Sequence, residues 1–284
     1  MSEPSLRDRI EQYYATVPLL FAEAEMFGPL CLFVRKEAGA PYYGGPSHAR
    51  PTSPGGPVTP SAADIDRVRA RQRELGVPEA FEWLAEVTPS LRGRIEAAGL
   101  PVAERPLMIL DPLHRLPPQP RPDGVTIRAV DADDPALPAV LALPGLAFAD
   151  EGTAVGSAGH AELAAAAEEL RADGTAATIR PSLRAGHKTL VAAFAPDGTP
   201  LAAGHYHPVN GATEIGGVGT LPAARRQGLG AAITAALATH ARDHGAKTVF
   251  LAYAEEAVAS IYARLGFRPA GTTLLIANQP ARGQ

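Results

Sequence analysis

The chain has 284 residues, 46% of them hydrophobic, and a net charge of -4. That is enough apolar material for cores without covalent staples, and enough length for two ordinary domains. The single cysteine, Cys31, excludes an intrachain disulfide and a cysteine metal cluster. It lies in the apolar run Leu30–Val34 and reads as a small buried hydrophobe. Charge is shared evenly between the halves, so no basic arm marks a nucleic-acid partner. The first residues carry no basic stretch feeding an apolar run, and no apolar run is long enough to span a membrane. The sequence therefore predicts a cytoplasmic, soluble protein.

In chain order, residues 6–27 read as a helix broken by Gly28-Pro29, and 30–36 as a strand. Residues 39–60 are dense in Gly and Pro and read as a long loop, partly strand near Tyr42 and Tyr43. Ser61 caps a helix over 62–75 that Gly76 and Pro78 stop. A strand over 81–87, a helix over 89–98 ended by Gly99, and a strand over 105–110 follow. Asp111–Pro122 holds five prolines, which exclude a regular helix and favour an extended linker. The expected division is thus 1–120 and 121–284.

The second segment opens with a strand over 125–130 and helices over 134–148 and 160–172. Strands over 188–194 and 200–207 flank Pro196-Asp197-Gly198, a hairpin signal, and Asn210-Gly211 leads into a strand over 212–220. Ile233, Leu237 and Ala241 recur at helical spacing within 229–244, with Gly245 as the stop. A buried strand over 247–253, a helix over 256–265 and a strand over 267–277 complete it. The order β-α-α-β-β-β-α-β-α-β predicts an α/β (α+β) fold, a mixed sheet flanked by helices, beside a smaller α/β N-terminal domain. Moving the sequence by 167 residues sets Trp83-Leu84-Ala85 on Phe250-Leu251-Ala252, Gly99 on Gly266, and Leu107-Met108-Ile109 on Leu274-Leu275-Ile276. That pattern reads as a diverged duplication.

The stretch Val218-Gly219-Thr220-Leu221-Pro222-Ala223-Ala224-Arg225-Arg226-Gln227-Gly228-Leu229-Gly230-Ala231 carries the chemistry. A strand ends, a basic turn follows, and a helix begins at glycines. Helix N-termini present unpaired N–H groups and a positive dipole end, glycine admits close approach, and the two arginines add charge. Together they describe a diphosphate cradle. Neither G-x-x-x-x-G-K-[ST] nor G-x-G-x-x-G occurs. One strand further on lies Tyr262-Ala263-Arg264-Leu265-Gly266-Phe267.

With these two motifs in this order, residues 125–277 resemble the Gcn5-related N-acetyltransferases (GNAT). The family's R/Q-x-x-G-x-G/A reads Arg225–Gly230 here, and its Y-x-x-L-G-F reads Tyr262–Phe267. The resemblance implies a mostly antiparallel mixed sheet and an acetyl-CoA cosubstrate; no metal is expected, since one cysteine and a pair of histidines do not make a metal site. The resemblance also implies that Arg226–Ala231 hold the CoA pyrophosphate with Arg225 beside them, and that Val218, Gly219 and Thr220 pair with the pantetheine arm where their strand splays from the next. Gly216, Gly217 and Gly219 fit a bulged, closely approached strand. Tyr262 would protonate the departing thiolate.

Glu214, on the strand leading into the turn, is the candidate base. His205 and His207 share a strand face and are candidates for the acceptor pocket or for alternative bases. Where many members have asparagine, seven residues before the tyrosine, this chain has Glu255. The expected activity is acetyl transfer to a primary amine of a small molecule by direct attack. The alternative is a catalytically silent acyl-CoA-binding sensor or interaction module. In the first half Ile95 stands where Tyr262 would, so that half is expected to be a decayed copy. It would wall the acceptor pocket or mediate association, a homodimer included.

Overall fold

The computed structural model describes residues 5–36, 48–52, 59–150 and 152–277. It divides into two compact units, Met1–Leu107 with Pro269–Gln284, and Met108–Arg268. The expected boundary at residue 120 thus lies inside the second unit, and the final strand belongs to the first.

In the first unit α1 (Leu6–Thr16) begins at Ser5, whose hydroxyl and Asp8 cap each other's backbone. The helix stops at Thr16, short of the expected residue 27. Pro18 opens a 3₁₀ turn over Val17–Leu20, and Ala22–Phe27 becomes strand β1. It is held antiparallel to β2 (Leu30–Arg35) round Gly28, whose φ is +63°. Proline supplies no helical N–H, and the sheet partner overrides the helical preference of Ala-Glu-Ala-Glu-Met.

Strand β3 (His48–Pro51) runs antiparallel to β2 and parallel to β4 (Ala80–Leu84). Helix α2 (Ala62–Glu74) lies between them in sequence, and α3 (Leu91–Ala97) follows β4. Strand β5 (Ala103–Leu110) carries the chain into the second unit, and β11 (Phe267–Ala277) brings it back. Residues Thr273–Ala277 of β11 pair antiparallel with Leu84–Ala80 of β4, which is why the tail belongs to this unit. The expected strand near Tyr42 and Tyr43 lies outside the described residues.

The second unit contains β6 (Thr126–Val130), α4 (Leu137–Ala149), α5 (His160–Ala172) and α6 (Thr175–Arg184). Strands β7 (Thr189–Phe194), β8 (Pro200–Tyr206) and β9 (Ala212–Thr220) follow, then α7 (Leu229–Asp243), β10 (Thr248–Ala252) and α8 (Glu256–Arg264). The order matches expectation except for α6, a helix with Pro181 inside it. Strands β6 to β9 are antiparallel neighbours, and β10 joins β9 in parallel. The mixed, mostly antiparallel sheet flanked by helices is the expected fold class.

The repeat extends beyond its matching residues. The 167-residue shift sets β1 on β7 end to end and the first residue of α2, Ala62, on the first of α7, Leu229. Both units pair their first four corresponding strands antiparallel, antiparallel, then parallel. They differ at the helix start. Ser61 stands where Gly228 stands, and its side chain and that of Asp64 satisfy the N-terminus of α2. The Ser61 hydrogen bonds hold the Asp64 carboxyl below its ordinary pKa. An anion of the chain's own already occupies that end of the helix.

Candidate active site

The site lies wholly in the second unit. Strand β10 tracks β9 only from Thr248↔Ala212 to Leu251↔Ile215. Beyond that β10 ends, while β9 continues through Gly216–Thr220. Gly216–Thr220 of β9 thus have no β10 partner beside them. A bulge marks the same place. The β8 register passes from Ala203↔Gly219 to His205↔Gly216, and Gly217 has a φ of +60°. A Cβ on Gly217 would meet the His205 ring at 2.7 Å, so both conformation and space require glycine. At Gly219 a Cβ would lie 2.8 Å from the Ala147 Cβ, which is how closely α4 approaches this strand.

After β9, Pro222–Ala224 form one 3₁₀ turn. Arg226 at φ +67° and Gly228 at φ +80° then reverse the chain into α7. The N-cap of α7, Gly228, provides no side-chain cap, unlike Ser61 of α2. The N–H groups at the start of an α-helix have no intrahelical acceptor, so the first turn keeps its donors and positive dipole end free for an anion.

These residues line a cleft of about 530 Å³. Val218, Gly219, Thr220, Arg225, Arg226, Gly228, Leu229, Gly230 and Ala231 all stand on its wall, whereas Gln227 is exposed beside it. Further lining comes from α8, with Ser260, Ile261, Tyr262 and Arg264, from Glu255 at its N-cap, from Ala147 and Phe148 of α4, and from Asp150, Gly152 and Thr153 after it. Sequence reasoning missed Phe148, Asp150, Ser260 and Arg264. For Arg264 a signal existed, because it is one of the two central residues of the Tyr262–Phe267 motif.

The Tyr262 ring meets the Phe267 and Tyr253 rings at centroid distances of 6.1 and 6.3 Å. Burial pushes its hydroxyl up to about 12. It therefore stays protonated at neutral pH, as a proton donor to a leaving group must. The structure separates Glu214 from this cleft wall. It is 7% exposed and stands on β9 opposite Phe250, within the stretch that pairs with β10.

Arg225 departs most from expectation. Its guanidinium is 8% exposed and donates to the Asp150 carboxylate (3.1 Å) and to the carbonyls of Ala147 (2.7 Å), Asp150 (2.7 Å) and Ala154 (3.1 Å). Its charge serves the C-terminus of α4, and Arg226 is left as the exposed cation of the turn.

His205 and His207 do stand together, with ring centroids 5.4 Å apart. His207 is 2% exposed and its Nδ1 lies 2.7 Å from the His187 carbonyl. Burial, then the nearby Lys188, push His207 down to about 3 and hold His205 well below the ordinary imidazole value. Both rings are neutral at physiological pH. Because the folded values lie below the unfolded one near 6.5, their stability contribution is present above pH 6.5. It is lost as pH falls below 6.5, for His207 progressively toward 3. Urea unfolding should show the slope between pH 6.5 and 4 reduced in His207→Phe, and NMR should show neither ring titrating between pH 5 and 8. Among the described residues no three His, Cys, Asp or Glu side chains form a metal-holding group, and no helix is long and apolar enough to cross a membrane.

The end of β9 beside the start of α7 is the arrangement that the two sequence motifs predicted. Residues 160–267 match the family model described as acetyltransferase (GNAT) family. Among solved structures the chain is similar to a GCN5-related N-acetyltransferase from Kribbella flavida. That match has 22% identity and a TM-score of 0.70 and covers 99% of this chain and 98% of the other. A functionally unknown conserved protein from Staphylococcus epidermidis matches at 14% identity and TM-score 0.54, over 90% and 93% of the two chains. A tandem GNAT protein from the clavulanic acid biosynthesis pathway matches at 17% identity and TM-score 0.51, over 89% and 79%. At these identities the likeness is one of fold. No curated protein matches the sequence.

Proposed function

We infer that the protein transfers acetyl from acetyl-CoA to the primary amine of a small molecule by direct attack. The observation that carries this reading is one cleft lined both by the start of α7, which has no side-chain cap from Gly228, and by the protonated Tyr262. Backbone donors of Gly228–Ala231, with Arg226, would hold the pyrophosphate, and Val218–Thr220 the pantetheine arm. A thiol has a pKa of about 8.5, so CoA thiolate leaves more readily when Tyr262 donates its proton. The attacking amine must first lose a proton. Glu214, a buried carboxylate on the strand that leads to the cleft but off its wall, would take it through a water. His205 and His207, neutral and beside the β9 bulge, shape the acceptor side.

The protein works in the cytoplasm on a free amine, without nucleic acid or membrane, in keeping with its even charge. The first unit serves association, a homodimer included, or the acceptor side. Saturating acetyl-CoA should raise the melting temperature, since ligand that binds only the folded state stabilises it by mass action. CoA should then be released when amines are supplied. A shift with no release from a broad amine panel would favour a silent acyl-CoA sensor, and no shift would end the acyl-CoA reading.

A further inference from the structure

Arg225 belongs to the turn that opens α7, but all four hydrogen bonds of its guanidinium reach the end of α4 and the segment after it. Two backbone bonds join the same pieces. The Gly156 N–H donates to the Pro222 carbonyl (3.1 Å) and the Ala223 N–H to the Ala158 carbonyl (3.0 Å). A Cβ on Gly156 would fall 2.1 Å from Asp150 Oδ2 and 2.8 Å from the Pro222 Cβ, so the pieces also pack without slack. Carbonyls at a helix C-terminus carry the negative end of the dipole, and a planar guanidinium with five donors suits them better than an ammonium. The segment joined in this way contributes Phe148, Gly152 and Thr153 to the cleft, with Phe148 62% exposed.

We propose that Arg225 is a positioning residue that couples occupancy of the α7 turn to the order of the α4 end and residues 152–159. Acyl donor binding then completes the wall that the acceptor meets. A ligand held by the backbone of Arg226–Ala231 fixes the turn one residue from Arg225, and with it the guanidinium to which four acceptors are anchored. This rests on the acyl-CoA reading above.

The test compares wild type with Arg225→Met and Arg225→Lys by acetyl-CoA calorimetry and by hydrogen exchange of amides 152–159. In wild type, acetyl-CoA should slow exchange there by about 5-fold or more, the range of a real coupling between sites. Arg225→Met should still bind acetyl-CoA but lose that protection, and Arg225→Lys should restore part of it. A general structural defect would instead raise exchange with and without ligand and leave the ligand's effect intact. Equal protection in wild type and Arg225→Met overturns the proposal. So does loss of all acetyl-CoA binding in both folded variants, which would assign the guanidinium to the ligand itself. If Arg225→Met does not fold, Asp150→Asn carries the same comparison, because it removes the ionic acceptor while the three carbonyls remain. Failure of the wild type to bind acetyl-CoA would overturn the acyl-CoA reading and this proposal together, and it shows before any variant is made.

Discussion

Gly230→Asp is expected to weaken acetyl-CoA binding by roughly 100-fold, about 3 kcal/mol, without destabilising the protein. Gly230 is the second residue of α7, and a Cβ there meets only Thr220 Oγ1, at an ordinary 3.7 Å. Replacing glycine inside a helix and placing an acid in its first turn both favour the helix, together by about 0.5–1 kcal/mol. The same carboxylate would occupy the free N–H groups and repel phosphate. The chain already contains this arrangement in α2, where Asp64 closes the helix start at a position the repeat relates to the first turn of α7. Calorimetry with acetyl-CoA and a melting curve without it separate the two effects. Unchanged affinity would mean that the pyrophosphate is held elsewhere, and a lowered melting temperature would mean that binding was lost through the fold.

Tyr262→Phe is expected to lower kcat by about 100-fold with acetyl-CoA affinity nearly unchanged, the lower range for loss of a general acid. The ring contacts with Phe267 and Tyr253 survive the substitution, so only the hydroxyl is tested. Because burial raises the Tyr262 value to about 12, above the unfolded value near 10, the protonated form is favoured in the folded state. Its stability contribution is whole below pH 10 and is lost as pH rises toward 12. The wild-type rate should accordingly show no alkaline fall from this group below about pH 10. An alkaline limb near pH 9 that disappears in Tyr262→Phe would contradict the burial argument. A variant as fast as wild type would leave Tyr262 as a packing residue.

The second unit was more legible than the first because its signals are local. Hairpin glycines, the Asn210-Gly211 turn and the period of α7 each act over a few residues. The strand at Ala22–Phe27 was misread because its Ala and Glu residues favour helix, and only β2 beside it decides otherwise. The unit boundary was misplaced for a similar reason. The prolines of 112–122 mark extended chain correctly, but Met108 and Leu110 already pack in the second core. The final strand is claimed by β4, nearly 200 residues earlier in the chain.

By itself the sequence determined the helix start at Gly228, the glycine strand before it and the tyrosine of the same cleft. These depend on backbone freedom and on residue types at short spacing, which travel with the chain. Tertiary structure alone decided where β10 stops pairing with β9, that both histidines are neutral, and that Glu214 lies off the cleft wall. It also decided that Arg225 serves α4, through acceptors 71 to 78 residues away. Desolvation and the partner of a long side chain are set by segments that meet only on folding, and no spacing within the motif encodes them.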